Sequence, residues 1–111
     1  DAAVSRTRKF LYIRSNADGA AHRISVYRVA DGGIVASWKP GFGGRLEWTP
    51  ADRLYHRWGC GSPCSQFVVY SAHGKELHDG DVSGAPGLSP SGDFLVTAES
   101  SEYYMLGNTA V

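Results

Sequence analysis

The sequence lacks an excess of charge of either sign, and this argues against a nucleic-acid partner. Its 111 residues include eleven basic and eleven acidic side chains, so the formal net charge is zero. A neutral chain has no long-range field that would attract phosphate groups. We therefore expect no binding to nucleic acid.

Long hydrophobic runs are also missing, and this argues against insertion into a membrane. No apolar stretch approaches the roughly 18 residues that a transmembrane helix needs. The sequence begins at Asp1, and its one methionine is Met105, so we expect that the original start has been removed. With two cysteines close together, we favour export and signal cleavage, which predicts a secreted or periplasmic protein.

Helical periodicity is absent as well. No segment of ten residues repeats apolar positions at helical spacing between capping residues. Instead, eight or nine short stretches rich in β-branched and aromatic residues are separated by turns containing Gly, Pro, Asp or Asn. In one of them Leu46 and Trp48 alternate with polar residues, as on one face of a strand. The sequence predicts a single all-β domain over residues 1–111.

Four stretches are expected to lie outside the strands. Residues 1–9 are mostly polar, and we expect them to be loosely attached. Residues 79–86 are rich in Gly, Asp and Ser, which predicts a loop. Residues 16–19 and 89–93 have the composition of turns.

Parts of the chain resemble one another at a spacing just above 40 residues. The three similar strands are 10–14, 53–57 and 94–98. Leu11 and Leu54 are 43 residues apart, and Tyr27 and Tyr70 are separated by the same distance. Two of the three strands follow a turn that contains proline, and Val-Tyr hairpins recur between them. A period of this length with four strands is the size of one propeller blade.

This pattern resembles the blade repeats of TolB-like and WD-repeat β-propellers. In such blades a strand follows a Ser-Pro-Asp-Gly-like turn and leads into a Val-Tyr hairpin, and residues 89–95 (SPSGDFL) are the best match. The resemblance implies antiparallel sheets of four short strands. Because ring closure typically needs four or more blades, the chain is too short to close alone.

We therefore expect two blade-like four-stranded repeats packed face to face as a β-sandwich. Two alternatives remain open. The chain could be part of a longer propeller, or several copies could assemble into a closed ring as a homo-oligomer.

The two cysteines lie in the sequence Cys60-Gly61-Ser62-Pro63-Cys64. Glycine and proline between them favour a tight turn, which can bring the two Cα atoms within reach of a disulfide. A thioredoxin-like site needs C-x-x-C at a helix start, which is not the pattern here. His56 could join both cysteines on zinc, but no fourth ligand is evident. We predict a disulfide between Cys60 and Cys64, with neither metal nor cofactor.

A second polar cluster contains groups that metals use, namely His73, His78, Asp79 and Asp81. The stretch spans a hairpin and the predicted loop, where these residue types are ordinary. We interpret the cluster as a solvated surface, and the sequence leaves open whether it binds anything.

Aromatic residues are the candidates for ligand contacts. They are Trp38, Phe42, Trp48, Tyr55 and Trp58. An exposed indole buries a large area at low entropy cost, so such residues could anchor a protein or stack on a sugar. Core packing is the alternative for Trp48 and Trp58, and Trp38 is expected to be the most exposed tryptophan.

No catalytic pattern stands out, so we predict that the protein is not an enzyme. The serines near glycine lack a G-x-S-x-G elbow, and no carboxylate pair suggests acid/base work. The expected function is a non-catalytic module that recognises a protein partner through its loops at 39–44 and 79–87. The alternative is a lectin-like carbohydrate-binding module that forms an oligomeric propeller.

Overall fold

The computed structural model is all-β, with eleven strands and no helix among the described residues. It describes residues 1–15, 22–61, 64–83, 87–88, 94–96 and 103–105, with only the backbone described for Cys60 and from residue 82 onwards. The strands are β1 (Ala2–Val4), β2 (Phe10–Arg14), β3 (Ile24–Arg28), β4 (Ile34–Trp38), β5 (Arg45–Trp48), β6 (Arg53–Gly61), β7 (Cys64–Ser71), β8 (Glu76–Ser83), β9 (Gly87–Leu88), β10 (Phe94–Val96) and β11 (Tyr103–Met105).

Three antiparallel sheets follow one another along the chain. Sheet A contains β1 to β4 in chain order, and sheet B contains β5 to β8 in chain order. Sheet C contains β9, β10 and β11, with β10 in the centre. The prediction of an all-β fold with two four-stranded antiparallel sheets is confirmed, and sheet C is added to it.

Sheets A and B share one hydrophobic core. Its buried residues are Tyr12, Ile24 and Val26 from sheet A, and Leu46, Trp48, Leu54, Val68, Tyr70 and Ala72 from sheet B and its last turn. The polar atoms of two core aromatics bond across the interface. The hydroxyl of Tyr12 donates to the carbonyl of Leu46 at 3.1 Å, and Nε1 of Trp48 donates to the carbonyl of Ala3 at 2.8 Å. These bonds remove the cost of burying the polar ends of the rings.

Sheet B is covered on both of its faces. Residues 54–56 of β6 and residues 67–70 of β7 are all buried, although neighbours along a strand point to opposite faces. Leu54, Val68 and Tyr70 belong to the core shared with sheet A. Tyr55, Phe67 and Val69 are buried on the opposite face. Sheet B is therefore an inner layer of the fold.

Sheets A and B have the same strand register at a separation of 43 residues. The pairs run from Phe10 with Arg28 to Arg14 with Ile24 in sheet A, and from Arg53 with Ser71 to Arg57 with Phe67 in sheet B. A register shift between Val26 and Tyr27 recurs between Val69 and Tyr70. Each position on β2 and β3 therefore has a counterpart 43 residues later.

The first turns of sheets A and B are held by the same kinds of hydrogen bond. Ser5 and Thr49 are both buried, and the backbone N–H of each donates to the carbonyl of the residue that starts the next strand. Their hydroxyls accept from the backbone N–H of that same residue, Phe10 or Arg53. Left-handed residues complete the turns, namely Arg8 (φ 62°) and Asp52 (φ 59°).

The expectation of a loosely attached start is wrong. Ala2–Val4 pairs with β2 as an edge strand, and the carboxylate of Asp1 forms an ion pair with Arg14 at 2.7 Å. Short, small residues carry little strand signal of their own. The strand forms here because β2 offers a backbone ladder, and tertiary contacts override weak propensity.

The predicted loop at 79–86 is wrong over residues 79–83, which belong to β8. Asp79, Gly80 and Asp81 pair with residues of the buried strand β7. Gly80 has no side chain where the ring of Phe67 lies, and a Cβ there would be 3.1 Å from that ring. Residues 84–86 and the predicted turns at 16–19 and 89–93 lie outside the described residues.

Candidate functional site

The loop at 39–44 joins β4 of sheet A to β5 of sheet B, and both sheets hold it in place. Nε2 of His56 lies 2.6 Å from the carbonyl oxygen of Gly43, so this nitrogen carries the proton and donates it. Nη1 of Arg14 donates to the carbonyl of Gly44 at 2.7 Å. The loop is therefore fixed at its glycine end by one bond to each sheet.

Phe42 and Trp58 form an aromatic stack at this loop. Their ring centroids are 4.7 Å apart, and the two planes differ by 5°. Trp58 is half-buried; it also contacts the ring of His56 at 4.8 Å, and its Nε1 donates to Oε1 of Gln66 at 2.9 Å. Phe42 remains 51% exposed. Trp58 therefore holds the ring of Phe42 in place while that ring stays partly exposed to solvent.

His56 is fully buried beneath this stack. Its Nδ1 has no hydrogen-bond partner among the described residues. Burial lowers the pKa of His56, and the bond to the Gly43 carbonyl opposes this only in part. The positive charge of Arg14 lowers the pKa further. The neutral ring is therefore the form that the fold accommodates.

We predict that His56 makes the protein less stable in mild acid. The unfolded chain takes up a proton at the ordinary pKa of about 6.5, whereas folded His56 resists protonation. Stability is then present above about pH 6.5 and falls by up to about 1.4 kcal/mol for each unit of pH below it, until the folded pKa is reached. Urea denaturation at a series of pH values measures this slope.

The variant His56→Gln is the comparison for this slope, since its amide can still donate to Gly43 but does not titrate near neutral pH. It should lose part of the acid sensitivity. His73→Gln, at the exposed histidine of the β7–β8 turn, is the control for the substitution itself. An equal slope in all three proteins would contradict the prediction.

Positive charge flanks the loop. Lys39 and Arg45 are both exposed at its two ends. Arg45 stands opposite Arg57 in the β5–β6 ladder, and like charges in that position destabilise a sheet. Nε of Arg57 is buried and has no hydrogen-bond partner among the described residues. This end of sheet B therefore carries two neighbouring positive charges.

The other predicted contact residues lie elsewhere. Trp48 is 6% exposed and belongs to the core between sheets A and B. Tyr55 is buried on the opposite face of sheet B; burial raises its pKa, and its hydroxyl has no partner among the described residues. Trp38 is half-buried, with its ring 5.0 Å from that of Tyr70. Of the five aromatics, the structure brings together Phe42 and Trp58.

Sequence reasoning missed three residues that hold the stack, namely Arg14, Gly44 and His56. The signal that could have found them is the sequence Gly41-Phe42-Gly43-Gly44, an aromatic ring among glycines. Gly44 has φ 96°, and a Cβ on it would collide with the carbonyl oxygen of Arg57. Such a glycine marks a close approach of two backbones rather than a flexible linker.

The cysteines lie on the β6–β7 hairpin, at the end of the same strand that carries Trp58. Gly61 (φ 110°) stands opposite Cys64 in the ladder. The side chain of Cys60 lies outside the described residues, so the disulfide stays a prediction.

The four polar residues of the second cluster do not converge. His73 lies in the β7–β8 turn, while His78 and Asp79 are neighbours on β8 and so point to opposite faces. In the part of the chain that the structure describes, no three His, Cys, Asp or Glu side chains lie close enough to hold a metal ion.

Comparisons with known proteins return no relative. No protein-family model, no curated protein and no solved structure matches this chain. Among the described residues there is no helix of the length and hydrophobicity needed to cross a bilayer.

Proposed function

We propose that this chain is a secreted or periplasmic, non-catalytic module that binds a protein partner through the loop at 39–44. One observation carries the proposal: Phe42 is half in solvent while its ring rests flat on Trp58. An aromatic ring that is already ordered loses little conformational entropy when a partner covers it. Such rings are frequent among the residues that dominate binding energy.

The surroundings of Phe42 favour a protein over a sugar. Trp58 is engaged by Phe42, His56 and Gln66, so Phe42 offers the free ring surface. A sugar site of the usual kind is concave and adds several converging polar groups to an aromatic face. Phe42 instead offers the open face of a ring that rests on Trp58, which suits coverage by an apolar pocket of a partner.

The charges indicate what surrounds that pocket. Lys39 and Arg45 are exposed on either side of the loop, and Arg57 lies opposite Arg45. A partner with acidic residues around an apolar pocket would complement them and would associate faster at low salt. Export is supported by the spacing of Cys60 and Cys64, which suits a disulfide and an oxidising compartment.

We predict that Phe42→Ala weakens partner binding by at least about 30-fold, which is about 2 kcal/mol, as for a central aromatic contact. The immobilised chain is incubated with exported proteins from its source, and captured proteins are quantified by mass spectrometry. A true partner is retained by the unmodified chain and lost with Phe42→Ala. Its dissociation constant is then measured by calorimetry with purified proteins.

His73→Ala is the matched control, because it removes an exposed ring from the β7–β8 turn. It should leave binding unchanged. A glycan array probed with the same three proteins tests the lectin alternative. If glycan binding depends on Phe42, the carbohydrate function replaces the proposal; if every captured protein binds Phe42→Ala equally well, the loop is not the contact.

A further inference from the structure

His56 lies on the face of β6 that meets sheet A, where its neighbours are apolar. It shares this face with Leu54 and Trp58, since alternate residues of a strand point to the same side. Leu46 stands opposite it in the β5–β6 ladder, and both leucines belong to the core. A buried imidazole in such a place needs hydrogen-bond partners for its polar nitrogens.

The two ring nitrogens of His56 differ in their surroundings. Nε2 donates to the carbonyl oxygen of Gly43, whereas the buried Nδ1 has no partner among the described residues. The neutral ring tolerates this, because its unprotonated nitrogen has no hydrogen to donate. A protonated ring carries a second N–H, and that N–H would be buried without an acceptor.

Sheet A turns positive charge towards this ring. Arg14 on β2 and His22 just before β3 both act on His56 and disfavour its protonated form. Arg14 is held between the carboxylate of Asp1, at 2.7 Å, and the carbonyl oxygen of Gly44, also at 2.7 Å. It therefore cannot turn away from a second positive charge without breaking these bonds.

The other elements around His56 supply no charge to offset this. Leu46 of β5 and Val68 of β7 pair with His56, and both are apolar. On β6 itself, the uncharged ring of Trp58 lies 4.8 Å away. The loop contributes the backbone of Phe42 and Gly43, which favours a proton on the ring, but the effect of burial is larger.

The loop at 39–44 is the part of the fold that can relieve this conflict. It lies outside the ladders of both sheets, and residues 41–44 are exposed to solvent on their outer side. Gly41 and Gly44 have φ 84° and 96°, so Phe42 and Gly43 lie between two glycines in the left-handed region. Segments held by few contacts open at lower cost than paired strands do. Outward movement of this loop would give water access to the imidazole.

We propose that protonation of His56 releases the loop at 39–44 and separates Phe42 from Trp58. Neutral His56 donates to Gly43 and holds the loop closed, whereas charged His56 is solvated only when the loop is open. The chain then offers an ordered Phe42 ring at neutral pH and loses it in mild acid. That a bound protein is released at the same time rests on the function proposed above; the opening of the loop does not.

The pH range follows from the difference between the two states. In the open state His56 takes up a proton at its ordinary pKa of about 6.5, whereas burial lowers its pKa in the closed state. The ratio of open to closed molecules is therefore constant above about pH 6.5. It rises by up to about tenfold for each unit of pH below that value, until the closed state is protonated as well.

The first test follows the aromatic stack itself by nuclear magnetic resonance, without any partner. The nuclear Overhauser effect between the rings of Phe42 and Trp58, whose centroids are 4.7 Å apart, should weaken between about pH 7.5 and about pH 4.5. The effect between Tyr12 and Trp48 in the core should persist, and it is the internal control. The imidazole resonances of His56 should titrate over the same range as the stack is lost.

His56→Gln keeps a donor for Gly43 and does not titrate in this range, so its stack should survive at about pH 4.5. His22→Gln removes the second histidine that acts on this site and should still lose the stack. Acid loss of the stack in His56→Gln, or its survival in His22→Gln, would show that His56 is not the trigger.

The unmodified chain supplies the result if His56→Gln does not fold. A stack that stays intact at about pH 4.5, or while the His56 resonances reach their protonated positions, would overturn the proposal. Loss of the core contact together with the stack would also overturn it, because that pattern indicates unfolding of the whole chain.

Binding is tested separately, with a partner whose capture depends on Phe42. Calorimetry at about pH 7.5 and about pH 5.5 should show affinity reduced by up to about tenfold for the unmodified chain and unchanged for His56→Gln. A stack lost in acid without any Phe42-dependent partner would contradict the proposed function alone. A Phe42-dependent partner with a stack that persists in acid would contradict the release alone.

Discussion

Replacing Leu54 by alanine is expected to lower the free energy of unfolding by about 3–4 kcal/mol. Leu54 is 0% exposed and lies in the centre of the core between sheets A and B. Truncation removes the transfer energy of its buried carbon atoms and leaves a cavity that the two sheets cannot fully close. Urea denaturation followed by tryptophan fluorescence measures the change, because Trp48 reports on the same core.

Leu11→Ala is the matched control, because Leu11 is the counterpart of Leu54 in sheet A and loses the same atoms. Leu11 is only half-buried in the single chain, so the expected change is about 1 kcal/mol. Both variants are compared at the same protein concentration. Equal losses at the two positions would mean that sheet A does not cover sheet B in the way described.

Replacing Gly44 by alanine is expected to destabilise the protein by about 3–5 kcal/mol. At φ 96° a residue with a side chain is strained, which costs about 1–3 kcal/mol. The new Cβ would also collide with the carbonyl oxygen of Arg57 and lie 3.0 Å from the Cβ of Trp58. Relief of that collision must move the loop away from β6, so the stack of Phe42 on Trp58 would be lost as well.

Two other glycines of the same loop separate these causes. Gly41 has φ 84° with nothing within 4 Å of its Cβ position, so Gly41→Ala should show the backbone strain alone. Gly43 also has open space around its Cβ position and no positive φ, so Gly43→Ala should change stability by less than about 0.5 kcal/mol. Thermal denaturation should rank the three variants with Gly44→Ala lowest. If Gly41→Ala is as damaging as Gly44→Ala, contact with β6 is not the cause.

Local sequence was sufficient for the strands whose side chains alternate. Leu46 and Trp48 were predicted on one face of β5, and both are buried in the core. Ile24 and Val26 follow the same rule on β3. The period of two is a property of the extended backbone itself, so it can be read without knowing what covers the strand.

Local sequence did not predict the strands that form because a neighbouring strand pairs with them. Asp79, Gly80 and Asp81 have low strand propensity, yet they extend β8 because β7 offers unpaired backbone groups beside them. Residues 2–4 join sheet A for the same reason. In both places the ladder outweighs the preference of the individual residues.

The candidate site, too, was predictable from local sequence only in part. An aromatic residue beside glycines could be recognised in the sequence, and Phe42 was among the predicted contacts. Nothing local distinguishes Trp58, half-buried beside Phe42, from Trp48, which is in the core. His56 and Arg14 take part only because the fold brings residues from two sheets to one loop.

The sequence alone determines the all-β class, the positions of most strands and the 43-residue spacing of similar segments. These features depend on side-chain alternation and turn chemistry between near neighbours in the chain. The sequence alone does not determine which face of each sheet is covered. Leu11 and Leu54 have the same residue type and equivalent partners, and they differ in burial only because sheet A packs on one of them. Coverage is a contact between segments far apart in the chain, and the tertiary structure alone decides it.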